Sequence, residues 1–219
     1  MSNASFLEHI ARRHLDDSPY PLMADIVPPG QRGSAKIHHI NIDSHAVAIA
    51  NLRAMRDGFC EFLCCPGKYT ALTIDGKTVM SDTPMERLTN HWIAQAAFGR
   101  VLIAGLGLGM VPYHLAQLSR VDQIDIVEIN PDVIQLVHPR ISHPKIRIQQ
   151  CGIEEFGRAE LDKPKADRLK WDVIYFDIWP TITYDDQPQI TRLKRMFRPL
   201  LNREGCMGAW AEEIRKRTR

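Results

Sequence analysis

An apolar segment that runs directly into a glycine-rich turn is the feature that most constrains how this chain folds. Residues 101–104 read Val-Leu-Ile-Ala, and Gly105-Leu-Gly107-Leu-Gly109 follows before a helical pattern begins. Glycine lets the backbone turn sharply and approach a ligand with no Cβ between them, and the start of the next helix offers unpaired backbone N–H groups. The segment therefore predicts a buried strand, a ligand-binding turn and a helix. A tight turn that binds nothing is the alternative interpretation.

Strand and helix patterns alternate through the rest of the chain. The predicted strands span residues 101–104, 124–129, 146–149, 171–177 and 206–210, and the predicted helices span residues 110–118, 131–137 and 188–201. Such alternation is typical of βαβ units joined by right-handed crossovers. The expected fold class is α/β, with a Rossmann-like, doubly wound parallel sheet of about five strands.

The chain before the glycine turn is predicted to form a small α+β unit over residues 1–99, followed by the ligand-binding domain over residues 100–219. Its predicted elements are a helix over residues 5–14, a loop over 16–34, a helix from Ser44 to Met55, strands over 59–65 and 69–80 with a hairpin turn at Asp75-Gly76, and a helix from Pro84 to Phe98. Thr83 and Glu86 have the spacing of a capping box at the start of that last helix.

An acidic residue stands at the end of the second predicted strand. Glu128 follows Gly109 by 19 residues, and an acid at this place in a nucleotide-binding βαβ unit accepts hydrogen bonds from both ribose hydroxyls. Asn130 is then a suitable cap for the next helix. A solvated acid at the end of a strand is the alternative interpretation of Glu128.

The glycine spacing distinguishes between two kinds of nucleoside ligand. The dinucleotide pattern Gly-x-Gly-x-x-Gly would need a third glycine where Met110 stands. Gly-x-Gly-x-Gly followed by an acid instead resembles the class I S-adenosylmethionine-dependent methyltransferases. The order of hairpin, helix, glycine turn, Val127-Glu128-Ile129 and the segment 171–177 is similar to the spermidine synthase branch of that superfamily, over roughly residues 59–210.

The resemblance implies a cofactor, S-adenosylmethionine, and assigns residues to it. The implied cofactor-binding residues are Gly105, Leu106, Gly107, Gly109, Glu128, Ile129, Gly152 and Ile153. The glycines would face the methionine part, Glu128 the ribose, and Gly152 and Ile153 the adenine. The family also ends in an antiparallel hairpin after the fifth strand. Because only nine residues follow Trp210, we expect the sheet to lack this hairpin.

Several residues depart from the spermidine synthase pattern. Leu108 stands where that branch has an acid in the glycine turn, Gly152 where it has the aspartate that binds adenine, Pro180 where it has a second aspartate, and Val79 where it has a glutamine. A polyamine needs several acids to hold its ammonium groups. These departures disfavour aminopropyl transfer.

Asp177 ends an apolar strand at the carboxyl edge of the sheet, where ligands bind in α/β proteins. We predict that it accepts a proton from the acceptor or orients an amine, with capping of the following loop as the alternative. Trp179 and Tyr184 follow closely and are predicted substrate-binding residues.

Composition excludes other classes of function. The net charge of +2 gives no support for a nucleic-acid partner, and no apolar run approaches the ~18 residues of a membrane span. The start of the chain lacks the features of a signal peptide, so a cytoplasmic location is expected. The five cysteines and nine histidines show neither a disulfide framework nor metal-ligand spacing. An uncovered sheet edge would allow a homodimer.

The sequence therefore predicts an S-adenosylmethionine-dependent methyltransferase that acts on a small molecule of unknown identity. Three alternatives stay open: an aminopropyltransferase similar to spermidine synthase, a cofactor-binding or interaction module without catalysis, and, least favoured, a nicotinamide oxidoreductase.

Overall fold

A computed structural model describes residues 18–56, 64–212 and 214. The strands in this part of the chain are β1 Gly30–Arg32, β2 Ala35–Ile42, β3 Gly67–Ile74, β4 Lys77–Ser81, β5 Gly99–Ala104, β6 Val121–Glu128, β7 Ile146–Gln150, β8 Trp171–Phe176 and β9 Leu201–Ala209. The α-helices are α1 Ser44–Arg56, α2 Pro84–Thr89, α3 His91–Ala96, α4 Met110–Ala116, α5 Pro131–Val137, α6 Ile153–Asp162 and α7 Gln187–Phe197. Short 3-10 helices lie at Met23–Asp25, His138–Arg140, Tyr184–Asp186 and Arg198–Leu200.

The larger sheet is parallel and has the strand order β7-β6-β5-β8-β9. The direction in which strands are added to the sheet reverses at β5. Strand β6 pairs with β5 on one side, and β8 pairs with β5 on the other. The predicted doubly wound sheet of five strands is therefore confirmed within the described residues. The reversal matters for function, since ligands of open α/β sheets bind beyond the carboxyl ends of the strands at this point.

Both faces of the parallel sheet are covered. Along β5 the side chains of Val101 and Ile103 pack into one hydrophobic cluster, and those of Leu102 and Ala104 pack into another on the opposite face. All four are buried. Burial on both faces explains why this strand is a continuous apolar run and has no alternating pattern.

The smaller sheet is antiparallel, with the order β1-β2-β3-β4. The predicted hairpin turn at Asp75-Gly76 joins β3 to β4, with both turn residues at positive φ. The predicted loop over residues 16–34 is wrong in part, because it contains the 3-10 helix and β1. The sequence analysis also missed β2, which pairs along its length with β3.

The helix predicted from Pro84 to Phe98 is interrupted. Asn90 separates α2 from α3, and its side-chain amide donates to the Glu86 carbonyl at 2.9 Å while its Oδ1 accepts from the Tyr175 hydroxyl at 2.8 Å. The predicted capping box does not form. The Thr83 hydroxyl pairs with that of Ser81 at 2.9 Å, and the Glu86 carboxyl takes a backbone hydrogen bond from Ser81.

Two further expectations concern the beginning of the chain. Helix α1 has the predicted extent, but Asp43, and not Ser44, caps it, with Asp43 Oδ1 accepting from the Ala46 N–H at 2.8 Å. The predicted helix over residues 5–14 lies outside the described residues. So does most of the predicted strand over residues 59–65, of which Cys64 and Cys65 are described and belong to no strand.

A buried and a half-buried carboxylate join the segments around the smaller sheet. Asp82 accepts the backbone N–H groups of Met23 and Thr70, each at 2.6 Å. In the first turn of α5, Asp132 accepts the Ser34 N–H at 3.0 Å. One hydrophobic cluster includes residues of both sheets, so the small sheet packs directly on the parallel one. Among the described helices, none is both long and apolar enough to cross a bilayer.

Candidate functional site

A cavity of about 570 Å³ lies at the carboxyl edge of the parallel sheet. The loops that follow the five parallel strands contribute to it, and β3, β4 and α2 close it on the side of the small sheet. The described residues that line it are Leu72, Ile74, Val79, Met80, Glu86, Gly105, Gly107, Val127, Glu128, Ile129, Asn130, Val133, Cys151, Gly152, Ile153, Glu154, Asp177, Ile178, Trp179, Pro180, Gln189 and Trp210.

Most of the predicted site residues meet in this cavity. Those that line it are Gly105, Gly107, Glu128, Ile129, Gly152, Ile153, Asp177 and Trp179. The structure does not bring Leu106, Gly109 or Tyr184 into the lining. Leu106 contributes its backbone N–H to the site indirectly, through Glu128. Gly109 lies at the start of α4, where an added Cβ would be 2.9 Å from Val137 and Ile141, and Tyr184 is 38% exposed elsewhere.

The glycine turn is packed tightly against two other segments. Gly105 has φ 98°, and a Cβ there would lie 2.0 Å from the Asp177 carbonyl oxygen. At Gly107, with φ 53°, a Cβ would lie 2.2 Å from the Met80 sulfur. The same sulfur lies 3.2 Å from the backbone nitrogen of Leu108. The turn therefore brings the β5 loop against the β8 loop on one side and against β4 of the small sheet on the other.

Glu128 braces this turn from the end of β6. One carboxylate oxygen accepts the Leu106 N–H at 2.8 Å, and the other accepts the Asn130 N–H at 2.8 Å. Its exposure is only 8%, which disagrees with the alternative interpretation of a solvated acid at the end of a strand. A carboxylate has about four lone-pair sites, so two hydrogen bonds to the backbone leave capacity for ligand hydroxyls. Asn130 caps α5 as predicted, accepting the Asp132 N–H at 2.9 Å.

An apolar shelf lies beside Glu128. The Ile129 side chain is 71% exposed although it lines the cavity, and Gly152 and Ile153 face it from the start of α6. A Cβ on Gly152 would be 3.9 Å from Ile129, an ordinary van der Waals distance, so the two segments lie close together and form one apolar surface. At the rim, the Glu154 carboxylate pairs with Arg158 at 3.2 Å and with Arg192.

A second acidic region lies at the other end, where β8 faces α2. Asp177 follows β8, and Glu86 reaches the cavity from α2 with only 6% exposure. Burial, followed by repulsion from Asp177, raises the pKa of the Glu86 carboxyl well above its ordinary value, against a smaller opposing effect of the Ser81 backbone. The neutral form of the Glu86 carboxyl is therefore favoured more than it would be in an exposed glutamate.

Glu86 is the residue that the sequence analysis missed, because its spacing from Thr83 had been interpreted as a helix cap. A second pattern in the sequence predicts that the Glu86 side chain points into the protein. Glu86, Asn90 and Ile93 follow the i, i+4, i+7 spacing of one helix face, and all three are buried. A carboxyl group on that face indicates a site and not a helix cap.

Hydrogen bonds hold this part of the cavity in place. The Tyr20 hydroxyl donates to the Asn90 carbonyl at 2.7 Å, which fixes the junction of α2 and α3 next to Glu86. Burial and the nearby Asp177 raise the pKa of Tyr20, so its hydroxyl stays a donor. Two indoles line the same end: Trp179 donates to Gln189 at 2.9 Å, and Trp210 donates to Thr89 at 2.8 Å.

Comparison with known proteins gives similarity of structure only. No protein-family model and no curated protein sequence matches the chain. A spermidine synthase from Thermotoga maritima matches 64% of this chain and 49% of its own length, with 18% identity and a TM-score of 0.45. Human methyltransferase-like protein 13, solved with SAH, matches 58% of this chain and 62% of its own, with 18% identity and a TM-score of 0.43.

A third solved structure, a putative caffeoyl-CoA O-methyltransferase from Staphylococcus aureus, matches 56% of this chain and 54% of its own, with 17% identity and a TM-score of 0.41. The chain thus spans between 49% and 62% of the length of these three structures. Both groups to which the sequence shows a resemblance are represented among them.

Proposed function

We propose that this protein is an S-adenosylmethionine-dependent methyltransferase that acts on a small molecule. The observation that carries the proposal is the position of Glu128. Its carboxylate lies at the carboxyl end of β6, is fixed by the Leu106 N–H of the glycine turn, and lines a cavity at the reversal point of the sheet. This is where a nucleoside ribose binds in doubly wound α/β folds.

The residues around Glu128 fit an adenosyl group. The remaining lone pairs of the carboxylate are suited to two vicinal hydroxyls. Ile129 and Ile153 offer apolar surface to a purine ring, and Gly152 adds no side chain to that surface. Gly105 and Gly107 allow the amino-acid part of the ligand to lie close to the backbone. When bound, S-adenosylmethionine supplies a methyl group activated by its sulfonium centre.

The chain's own contribution to the reaction is positioning and proton handling. Asp177 would face the acceptor and take its proton, because it lines the cavity from the loop after β8 while Glu128 lines it from the end of β6. Trp179 and Trp210 would exclude water from this end, since both are buried and line the cavity. Fixing the acceptor near the methyl group converts a bimolecular encounter into a reaction within one complex.

Particular residues argue against each of the alternative functions. A nicotinamide dinucleotide is disfavoured because Met110 is fully buried in the core where the third glycine of that pattern would stand. Aminopropyl transfer is disfavoured by Leu108, which is buried and apolar where an acid would hold the ligand's amino group. A binding module without catalysis is disfavoured by Glu86, whose buried carboxyl group lines the cavity and has a raised pKa, because perturbed carboxyl groups cluster at functional sites.

A ligand panel tests the proposal. Thermal unfolding is measured with S-adenosylmethionine, S-adenosylhomocysteine, decarboxylated S-adenosylmethionine and NAD, because a ligand that binds only the folded state raises its stability. We expect a rise of about 2.7 kcal/mol at 100 times Kd for the first two compounds and none for NAD. Stabilisation by NAD alone would overturn the proposal. Stabilisation by the decarboxylated compound alone, with product from putrescine, would favour aminopropyl transfer.

A further inference from the structure

The space that the three glycines of the turn after β5 leave open is filled by other parts of the protein. Beside Gly105 a backbone carbonyl fills it, and beside Gly109 buried core side chains do. Such groups have little freedom to move in a close-packed interior. At Gly107 the neighbour is instead the sulfur of Met80, near the end of a flexible side chain that lines the cavity. The space beside Gly107 is therefore closed by a group that can leave it.

The Met80 thioether makes two contacts with the turn. Its sulfur would lie 2.2 Å from a Cβ on Gly107, and it accepts the Leu108 backbone N–H, with 3.2 Å between sulfur and nitrogen. A thioether is a weak acceptor, and a methionine side chain is unbranched and adapts its shape easily. A carboxylate accepts hydrogen bonds far more strongly. The Leu108 N–H is therefore paired with an acceptor that a ligand carboxylate can replace.

The tail of a nucleoside in this cavity points towards Met80. The ribose is placed at Glu128, on the strand β6 that lies between β7 and β5. The apolar surface of Ile129 and Ile153 follows β6 and β7, so a base that lies on it is on the β7 side of the ribose. A base and a 5′ substituent leave the ribose ring in different directions. The 5′ substituent is then directed to the β5 side, where the glycine turn and Met80 line the cavity.

We propose that Met80 is a specificity-determining residue, whose thioether occupies the subsite for the amino-acid part of S-adenosyl compounds. The ligand carboxylate enters this subsite by displacing the sulfur from the Leu108 N–H. The inference rests on the proposed methyltransferase function, but Met80 stands on β4 of the small sheet and is not among the residues that the sequence assigned to the cofactor. The displacement weakens the binding of the amino-acid part and leaves the binding of the nucleoside part unaffected.

The test compares two ligands that differ in this part. S-adenosylhomocysteine and 5′-methylthioadenosine share the adenosine and the thioether sulfur, and only the first has an amino-acid group. Both are titrated calorimetrically into the full chain, as wild type and as Met80→Ala. Because Met80→Ala leaves nothing to displace, we expect its affinity for S-adenosylhomocysteine to rise about tenfold. Affinity for 5′-methylthioadenosine should stay unchanged, which also shows that the variant is folded.

A second variant and a control complete the comparison. Met80→Leu keeps most of the apolar volume but cannot accept the Leu108 N–H, so we expect a smaller rise in affinity for S-adenosylhomocysteine. This variant decides the question if Met80→Ala does not fold. Met55→Ala removes an exposed methionine on α1, outside the cavity lining, and should bind both ligands like the wild type.

A measurement on the wild type detects the displacement itself. When the methionine methyl groups are labelled with carbon-13, the Met80 signal is identified as the one absent from the spectrum of Met80→Leu. In the free protein, the Met80 methyl group and the Leu108 amide proton should give a nuclear Overhauser effect, because the sulfur is in contact with that N–H. We expect this effect to persist with 5′-methylthioadenosine and to disappear with S-adenosylhomocysteine.

The outcomes separate the inference from the function. If S-adenosylhomocysteine binds the wild type and both Met80 variants equally tightly, or if the Overhauser effect persists when it is bound, the inference is wrong and the proposed function stands. Weaker binding of S-adenosylhomocysteine to Met80→Ala, with unchanged binding of 5′-methylthioadenosine, would mean that Met80 supports the amino-acid part, which also overturns the inference. If S-adenosylhomocysteine binds none of the three proteins, the proposed function itself fails.

Discussion

Glu128 and Glu86 are the same residue type, line the same cavity and are almost equally buried, yet they are held in opposite ways. Glu128 accepts a backbone N–H on each of its two oxygens. Glu86 has one backbone hydrogen bond and a second acid nearby, and its pKa is raised well above the ordinary value. Glu128 is therefore built into the fold as a fixed carboxylate, while Glu86 is left in an environment that disfavours its charge.

The difference indicates which end of the cavity is preformed. A carboxylate that braces a glycine turn is needed for the shape of the turn even without a ligand. A carboxyl group that raises the free energy of the empty protein is expected where a ligand later compensates the cost, as at many functional sites. By this reasoning the Glu128 end is rigid and the Glu86 end depends on its ligand.

The largest expected effect concerns the acceptor end and turnover. Asp177→Asn removes the predicted proton acceptor, so we expect kcat to fall by roughly 10²- to 10⁴-fold. Affinity for S-adenosylhomocysteine should change little, since the ribose site is at the other end. Stopped assays of methyl transfer to a responsive small-molecule acceptor, with calorimetry of the same preparation, measure both. Full turnover in Asp177→Asn would remove Asp177 from the mechanism.

The next effect concerns the preformed end. Glu128→Gln leaves one acceptor oxygen for two backbone donors, so the Leu106 or the Asn130 N–H loses its partner. We expect a loss of about 1–3 kcal/mol in the free energy of unfolding, and a loss of roughly 5- to 150-fold in affinity for S-adenosylhomocysteine. Urea unfolding and calorimetric titration check the two parts. Unchanged stability together with unchanged affinity would contradict the assigned role of Glu128.

The smallest effect has the opposite sign. Glu86→Gln should stabilise the ligand-free protein by about 0.5–2 kcal/mol at pH 8, because it removes a charge that burial and Asp177 disfavour. Thermal unfolding of both proteins measures the gain. A loss of stability instead would mean that the Glu86 carboxylate supports the fold, as Glu128 does.

The pH dependence sharpens this result. A carboxyl whose pKa is higher in the folded state contributes stability at low pH, and that contribution is lost as the pH rises from 4.5, the ordinary pKa of glutamate, through the folded value. The gain from Glu86→Gln should therefore grow with pH across this window. Asp177, Asp82, Tyr20 and Arg87 also surround this region, so only the difference between the two proteins reports on Glu86. A difference that does not vary with pH would contradict the raised pKa.

The parallel sheet could be predicted because its signals are local. The run Val101 to Ala104 is apolar at every position, and the turn after it needs glycine, so one short segment contains both the strand and the site. The Asp75-Gly76 hairpin is similarly local. The strand β2 was missed because its alternation of apolar and polar residues is broken by His38 and His39, and its partner strand begins 25 residues after it ends.

The site residues could be predicted only where a chemically suitable side chain also stands at the end of a predicted strand. Glu128 and Asp177 end strands of the same sheet, so topology brings them to one edge. Glu86 comes from a helix outside that sheet, and its place in the cavity depends on how Asn90 interrupts the helix and bonds to Tyr175. Such tertiary contacts produce no characteristic spacing in the sequence. Glu86 was therefore interpreted as part of a helix cap.

The contact between Met80 and the glycine turn has a consequence for how the molecule folds. The Met80 sulfur and the Leu108 nitrogen are separated by 28 residues in the chain, with Met80 on β4 of the small sheet and Leu108 in the turn after β5 of the parallel sheet. The turn therefore reaches its final shape only after both sheets have formed and docked, so the two are expected to unfold together as one cooperative unit. In amide hydrogen exchange, a ligand that tightens the turn should slow exchange in the hairpin of β3 and β4 as well as in the turn itself.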